Sequence, residues 1–115
     1  RDKVVHGHAT PGHDEVYWLE PVMPDGTVSR SSLEEIEKQA AGITQPLILC
    51  AHTHVARAVR LRDGRMIVNP GSVGSPGYRD THPYKHVVEV GSPDARYAIL
   101  ERVDSAWHAT FRHVP

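Results

Sequence analysis

Apolar residues occur in short runs along this chain, separated by segments rich in glycine, proline and charged residues. The run from 46 to 50 is apolar throughout, which is typical of a strand buried on both faces of a sheet. Val4-Val5 is a shorter run that ends at His6-Gly7. Histidines follow both runs directly, so we expect two strands whose carboxyl ends carry imidazoles.

One stretch has the periodicity of an amphipathic helix. Leu33, Ile36 and Ala40 fall on one face, and charged residues cover the other. The serine pair at 31–32 can cap its start, with a glutamate in capping-box position. Gly42 is placed to end the helix.

The second half of the chain predicts antiparallel strands. Asp63-Gly64 is a two-residue hairpin signal, and the Gly/Pro-rich segment 70–83 is interpreted as a long loop. The strands predicted around these features cover 55–61, 65–69, 96–103 and 107–114, and a tight turn at Asp104-Ser105 joins the last two. A helix followed by a buried strand and then antiparallel strands indicates an α/β layered domain.

Composition limits the partners and the number of domains. The 115 residues, 39% of them hydrophobic, fit one domain or part of one, and a net charge of −1 indicates neither nucleic acid nor a membrane surface. The apolar runs are too short to cross a bilayer. The single cysteine, Cys50, lies in an apolar run, so we expect a reduced thiol in a cytoplasmic protein.

Nine histidines are an unusual number for a chain of this length. We expect four of them to be surface residues or hydrogen-bonded fillers: His82, His86, His108 and His113. The other five form two clusters: His6, His8 and His13, and His52 and His54. Imidazole is a common metal ligand, and ligands in α/β sheets lie beyond the carboxyl ends of strands. The positions of His6, His52 and His54 directly after predicted strands therefore lead to the hypothesis that these three residues form a metal site.

Carboxylates are scarce around these histidines. A two-metal hydrolytic centre usually needs a carboxylate that bridges the two cations. Asp14 and Glu15 lie in the first loop and could be recruited, although a solvated acidic pair is the simpler interpretation. This shortage indicates that an upstream segment is missing.

Three motifs in order, "VVHGH", "CAHTHVAR" and "IVNPGSVGSP", resemble the C-terminal half of the calcineurin-like metallophosphoesterases. The small bacterial phosphodiesterases, which have the pattern "HG…GHTH…NPGSVG", are the most similar branch. The resemblance implies a four-layer α/β/β/α sandwich. Residues 1–115 would be the C-terminal portion of one such domain, completed by an N-terminal half of the same protein.

The resemblance also implies the site. His6 and His52 would ligate one divalent metal and His54 a second, while Asn69 to Ser72 would form a structural loop. A metal-bridging hydroxide would hydrolyse a phosphomonoester or phosphodiester. Manganese, iron, zinc or nickel would suit the ligand set, and the substrate would be a small phosphate ester.

Two features depart from the family. Ala51 stands where the family usually has glycine. The acidic motifs of the family's first half, which include the bridging carboxylate and a histidine that assists the leaving group, do not precede His6. His8 and His13 are extra histidines that either contact a substrate phosphate, exchange a leaving-group proton or have no role.

Two other interpretations account for part of this pattern. Cupins also use His-x-His on a strand, but they need a glutamate shortly after the second histidine, and residues 55–60 contain none. A phosphoesterase-like fold kept as an inactive protein-binding scaffold is the alternative function. The missing acidic half favours it, and the retention of all three ligand histidines opposes it.

Overall fold

The computed structural model describes residues 3–13, 15–75 and 77–115 of the chain. Its elements follow the chain in this order: β1 (Val4–His6), α1 (Leu33–Gln39), β2 (Leu47–Leu49), β3 (Arg57–Arg60), β4 (Met66–Asn69), β5 (Gly77–Asp80), β6 (His86–Glu89), β7 (Ala95–Val103) and β8 (Ala106–Val114). Within those ranges, no helix is long and apolar enough to cross a membrane.

The central sheet has the strand order β1-β2-β4-β3. Strands β1, β2 and β4 are parallel, and β3 runs antiparallel to β4. His6 is in register with Leu49, and Leu49 with Val68. The carboxyl ends of the three parallel strands therefore meet at one edge of the sheet, which is where the histidine motifs begin.

Alternate residues of β2 and β4 are buried on opposite faces of this sheet. Ile48 and Ile67 pack in the cluster that includes Ile36 of α1 and Trp18. The opposite face packs against the β7–β8 hairpin through a second cluster of Leu47, Met66 and Val68 with Leu49, Ala98, Leu100, Trp107 and Ala109. The prediction that the apolar run at β2 is buried on both faces is confirmed.

The described residues thus form a four-stranded sheet with α1 on one face and the β7–β8 hairpin on the other, together with a second hairpin, β5–β6. The mixed α/β class is confirmed. The four-layer sandwich is not confirmed, since α1 is the single α-helix in these ranges and has seven residues.

The predicted helix is confirmed at both ends. The Ser32 hydroxyl accepts a hydrogen bond from the backbone N–H of Glu35 at 3.2 Å, which satisfies one free donor of the first turn. Ile36 is 1% exposed, so the predicted apolar face is the buried one. Gly42 follows the helix with φ +90°, a conformation that glycine adopts at little cost.

The terminal hairpin is also confirmed. Strands β7 and β8 are joined at Asp104 and Ser105, whose φ angles are 50° and 67°. Positive φ at both central residues is characteristic of a type I′ turn, whose backbone twist matches the right-handed twist of the two strands that it joins.

The interpretation of 70–83 as a loop is wrong in part, because β5 lies inside it and pairs with β6, which the sequence did not predict. Both strands have four residues, and β6 has as many polar residues as apolar ones. The inward side chains Tyr78 and Val88 face each other in register, and this single cross-strand pair leaves little periodic signal.

Candidate metal centre

The loop after β2 carries His52 and His54 in an unusual backbone conformation. Their φ angles are 70° and 63°, in the left-handed region that non-glycine residues rarely adopt. Each such residue costs on the order of 1 kcal/mol or more, so the surroundings must hold the loop in place. Strained residues are often found at functional sites, so this loop at the edge of the sheet is the candidate site.

Buried polar side chains hold this loop from below. Thr53, which is 2% exposed, donates a hydrogen bond to Oε2 of Glu20 at 3.0 Å. The Asn69 amide at the end of β4 donates to the Ala51 carbonyl and to the Thr53 hydroxyl, both at 3.0 Å. Its oxygen accepts from the Gly71 N–H at 3.0 Å. These bonds give Asn69 a structural role, and they connect the motif loop to the following Pro-Gly loop.

Glu20 is the member of this network that the sequence did not reveal. Its carboxyl group is buried, and burial raises its pKa, while the bond from Thr53 and the charge of Arg57 partly oppose that rise. Arg57 lies 3.5 Å from the carboxylate and also donates to the Leu19 carbonyl at 2.9 Å. The turn-rich segment around Glu20 has no periodic pattern that would mark one residue as buried.

Main-chain carbonyls set the tautomers of both motif histidines. Nε2 of His52 lies 3.2 Å from the Glu15 carbonyl, and Nδ1 of His54 lies 2.7 Å from the Ser75 carbonyl. A carbonyl only accepts, so each of these nitrogens carries its proton. Nδ1 of His52 and Nε2 of His54 are therefore lone-pair nitrogens, which is the usual arrangement of metal-ligating histidine.

The neutral form of His52 is also favoured electrostatically. Burial lowers its pKa, and the neighbouring His8 and His54 act in the same direction, whereas the bond to the Glu15 carbonyl and the charge of Asp80 raise it. One by one, His52 and His54 thus fit the requirements of metal ligands.

The structure does not gather the predicted ligands into one cluster. Among residues 3–13, 15–75 and 77–115, no group of three or more His, Cys, Asp or Glu side chains could hold a metal ion. His6 is exposed at the end of β1, where it lines a cavity with Trp18 and Ile43. The ligand set of His6, His52 and His54 stays a prediction.

His8 and His13 are placed differently from each other. Nε2 of His8 lies 3.0 Å from Nδ1 of His52, with the ring centroids 4.8 Å apart. His13 is exposed, and its main chain bonds with Thr10 in a tight turn. Of the two extra histidines, His8 is thus in contact with a motif residue.

Two tyrosines fasten the β5–β6 hairpin to the motif loop. The ring of Tyr17 packs edge-on against His52 at a centroid distance of 4.5 Å. Nδ1 of His86 faces the Tyr84 carbonyl, so Nε2 accepts a bond from the Tyr17 hydroxyl at 2.9 Å. Tyr78 in turn donates to Tyr17 at 2.7 Å. His86 is the hydrogen-bonded filler that the sequence predicted, and burial raises the pKa of both tyrosines.

Apart from the buried Glu20, the acidic residues near the site that the structure describes are either turn-forming or exposed. Asp80-Thr81-His82 is an Asp-x-His triplet, which sequence reasoning overlooked, but it follows the histidine motifs instead of preceding them. Its carboxylate accepts from the N–H groups of Thr81 and His82, and these bonds lower its pKa. Glu15 contacts His52 only through its carbonyl, and its carboxylate is exposed. Asp14 lies outside the described residues.

Comparison with known proteins gives little further information. No protein-family model matches the chain, and no curated protein matches it. A search of solved structures found Vps29 complexed with Zn²⁺ from Entamoeba histolytica, with 14% identity and a TM-score of 0.40. The match covers 96% of this chain and 54% of that one, so the chain spans about half the length of Vps29. A likeness this weak indicates nothing about activity.

Proposed function

We propose that this chain is the histidine-bearing part of a metal-dependent phosphoesterase, active when an N-terminal half of the same protein completes it. The observation that carries the proposal is the state of His52 and His54. Both stand in left-handed backbone, and both have a tautomer set by a main-chain carbonyl. A loop without a chemical role has no need of two strained histidines with prearranged lone pairs.

In this proposal, His52 and His54 hold two divalent cations, with His6 as a further ligand. When bound, the cations supply charge stabilisation to the phosphoryl oxygens of a phosphomonoester or phosphodiester. The chain's own part is orientation: Asn69 and Thr53 keep the loop in place, and Tyr17 limits rotation of the His52 ring. Rigid support of this kind is what a two-metal site requires of its first ligands.

The edge of the sheet supports completion by another segment. β1 is the outer strand, and its far side has no partner strand in the described ranges. Val4 on this strand is 38% exposed. A short, open, partly apolar edge accepts further strands readily. Strands of an N-terminal half at this position would bring acidic residues to the histidine edge and extend the fold towards the four-layer sandwich.

The test is hydrolysis of a chromogenic phosphodiester by the complete protein with Mn²⁺ or Zn²⁺. His52→Ala and His54→Ala should each lower the rate by about 100-fold or more, since each removes a cation ligand. His52→Asn and His54→Asn tolerate the left-handed backbone better and should lose activity equally. His108→Ala, on the exposed side of β8, is the matched control and should keep full activity.

Full activity in the His52 and His54 variants would remove the proposal. The alternative is a scaffold that binds a protein partner, and the absence of a three-ligand cluster among the described residues favours it. That reading predicts no metal-dependent hydrolysis in the complete protein, so the same assay separates the two.

A further inference from the structure

One half-buried arginine of this chain differs from two others in its partners. The guanidinium of Arg57 lies 3.5 Å from the Glu20 carboxylate. That of Arg65 lies 2.8 Å from the Asp63 carboxylate. Nε of Arg96, in contrast, is buried and has no hydrogen-bond partner among the residues that the structure describes, and no ion pair within those ranges includes Arg96. A charged donor without a partner in a folded protein calls for an acceptor from elsewhere.

The stem of Arg96 is held beside the Pro-Gly loop that follows β4. The backbone N–H of Arg96 donates to the Ser72 carbonyl at 2.9 Å. A Cβ added to Gly71 would lie 3.0 Å from Cβ and 3.2 Å from Cδ of Arg96, so the arginine stem fills the space that a side chain at 71 would need. Since the stem is already packed, Arg96 loses little conformational freedom when its guanidinium binds a ligand.

Arg96 lines a cavity beside the motif loop. The cavity has a volume of about 270 Å³, and five residues line it: Val55, Ala56, Glu89, Val90 and Arg96. Val55 directly follows His54, so the cavity and the candidate metal centre share one loop. Because a water molecule takes up about 30 Å³ of liquid volume, the cavity has room for a phosphate or carboxylate group.

Two acidic residues lie near Arg96 in the fold or in the sequence, and neither is paired with it. Asp94 accepts a hydrogen bond from Nδ1 of His113 at 2.6 Å. Glu89 is exposed on β6, where water and salt screen its charge. Arg96 is the one cationic residue among the five that line the cavity, so an anionic group there would bind to its guanidinium.

We propose that Arg96 binds an anionic oxygen group, a phosphate or a carboxylate, in this cavity. A guanidinium presents its N–H groups in a planar fork that matches such groups with two parallel hydrogen bonds. The assignment of this group to the substrate rests on the proposed function. The substrate is then a phosphate ester that carries a second anionic group, which Arg96 binds while the ester lies at the histidine loop.

The first test is anion binding, measured without any reaction. Inorganic phosphate is titrated into the complete protein after metal removal with EDTA, and the ¹H–¹⁵N signals of the arginine Nε groups report which guanidinium responds. The Arg96 signal should shift saturably. Arg96→Gln should weaken phosphate binding by about tenfold or more, because charge-assisted hydrogen bonds are lost. Arg102→Gln, at an exposed position of the same strand, is the matched control and should bind as the wild type.

Two further variants sharpen this test. Arg96→Lys keeps the charge but not the planar fork, so it should lose less affinity than Arg96→Gln. Glu89→Gln removes an opposing charge and should tighten phosphate binding. Circular dichroism of each variant confirms folding. Unchanged affinity in Arg96→Gln, an equal loss in Arg102→Gln, or a wild type that does not bind phosphate saturably overturns the inference.

The second test separates a substrate group from free phosphate. The complete protein with Mn²⁺ is given two chromogenic phosphodiesters, one with an uncharged second ester group and one whose second ester group carries a carboxylate. Arg96→Gln should raise KM by about tenfold for the carboxylate-bearing diester alone, with kcat unchanged for both. Unchanged KM values overturn the substrate assignment and leave Arg96 as a site for free phosphate. Hydrolysis that does not depend on His52 and His54 removes the proposed function and the substrate assignment, and the phosphate titration still decides the anion site.

Discussion

The two histidine-bearing loops of this molecule differ in how they are supported. The loop with His52 and His54 surrounds a buried threonine, and the fully buried Asn69 binds it from below. The loop from 6 to 13 carries its three histidines in exposed positions, and the bonds that hold it run mainly through the main chain. The number of histidines in a loop thus says nothing about how rigidly they are held.

The comparison shows where preorganisation comes from. A left-handed histidine persists only where other groups hold the backbone, and a buried side-chain network supplies that support at one loop alone. His8 belongs to the weaker loop but reaches the stronger one through its bond to His52. Substitutions in the network should therefore affect the two loops very differently.

The largest effect is expected at Asn69. Asn69→Ala removes both donor bonds to the motif loop and leaves the Gly71 N–H without its acceptor. Unsatisfied buried groups cost about 1–3 kcal/mol each, so we expect a loss of about 2–4 kcal/mol in the free energy of unfolding. Urea unfolding of the purified protein measures it. His13→Ala, in the exposed loop, should stay within about 0.5 kcal/mol of the wild type. Equal stability of the two variants would contradict the comparison.

A smaller effect is expected at Tyr17. Tyr17→Phe keeps the ring against His52 but removes the hydroxyl that bonds to His86 and Tyr78. We expect a loss of about 1–2 kcal/mol, because buried partners are left unpaired. Tyr97→Phe is the control, since Tyr97 is 44% exposed on β7 and should be near neutral. If the two variants unfold at the same urea concentration, the hydrogen bonds of the Tyr17 hydroxyl do not stabilise the packing of the β5–β6 hairpin against the motif loop.

The smallest effect is expected at Glu20, and it depends on pH. Burial raises the folded-state pKa of Glu20 above its usual value of 4.5. Between pH 4.5 and the folded-state pKa of Glu20, the folded protein therefore binds more protons than the unfolded chain. This contribution to stability is complete below pH 4.5 and is lost as pH rises through the folded-state pKa.

Glu20→Gln removes this dependence. The wild type should therefore lose stability relative to the variant as pH rises from 4.5, and urea unfolding at several pH values measures the difference. Glu89→Gln, on the exposed face of β6, should track the wild type at every pH. A difference that does not change with pH would show that Glu20 is not buried as a carboxyl group.

Local signals predicted much of the fold. The serine cap before α1, the apolar run of β2 and the turn residues at Asp104-Ser105 each act within a few neighbouring residues, and the structure has all three features. The β5–β6 hairpin was missed because Tyr78 and Val88 are its single inward-facing cross-strand pair. Too few inward positions were present to form a pattern.

The sequence by itself determined which histidines follow which strands, and therefore that imidazoles lie at the carboxyl edge of a sheet. Only the tertiary structure decided that His8 faces His52 and that Glu20 is buried beneath Thr53. The reason is physical: these pairs are 44 and 33 residues apart, and they meet only when separate segments dock on one core. Contacts between irregular loops have no periodic sequence pattern, so the sequence alone does not predict them.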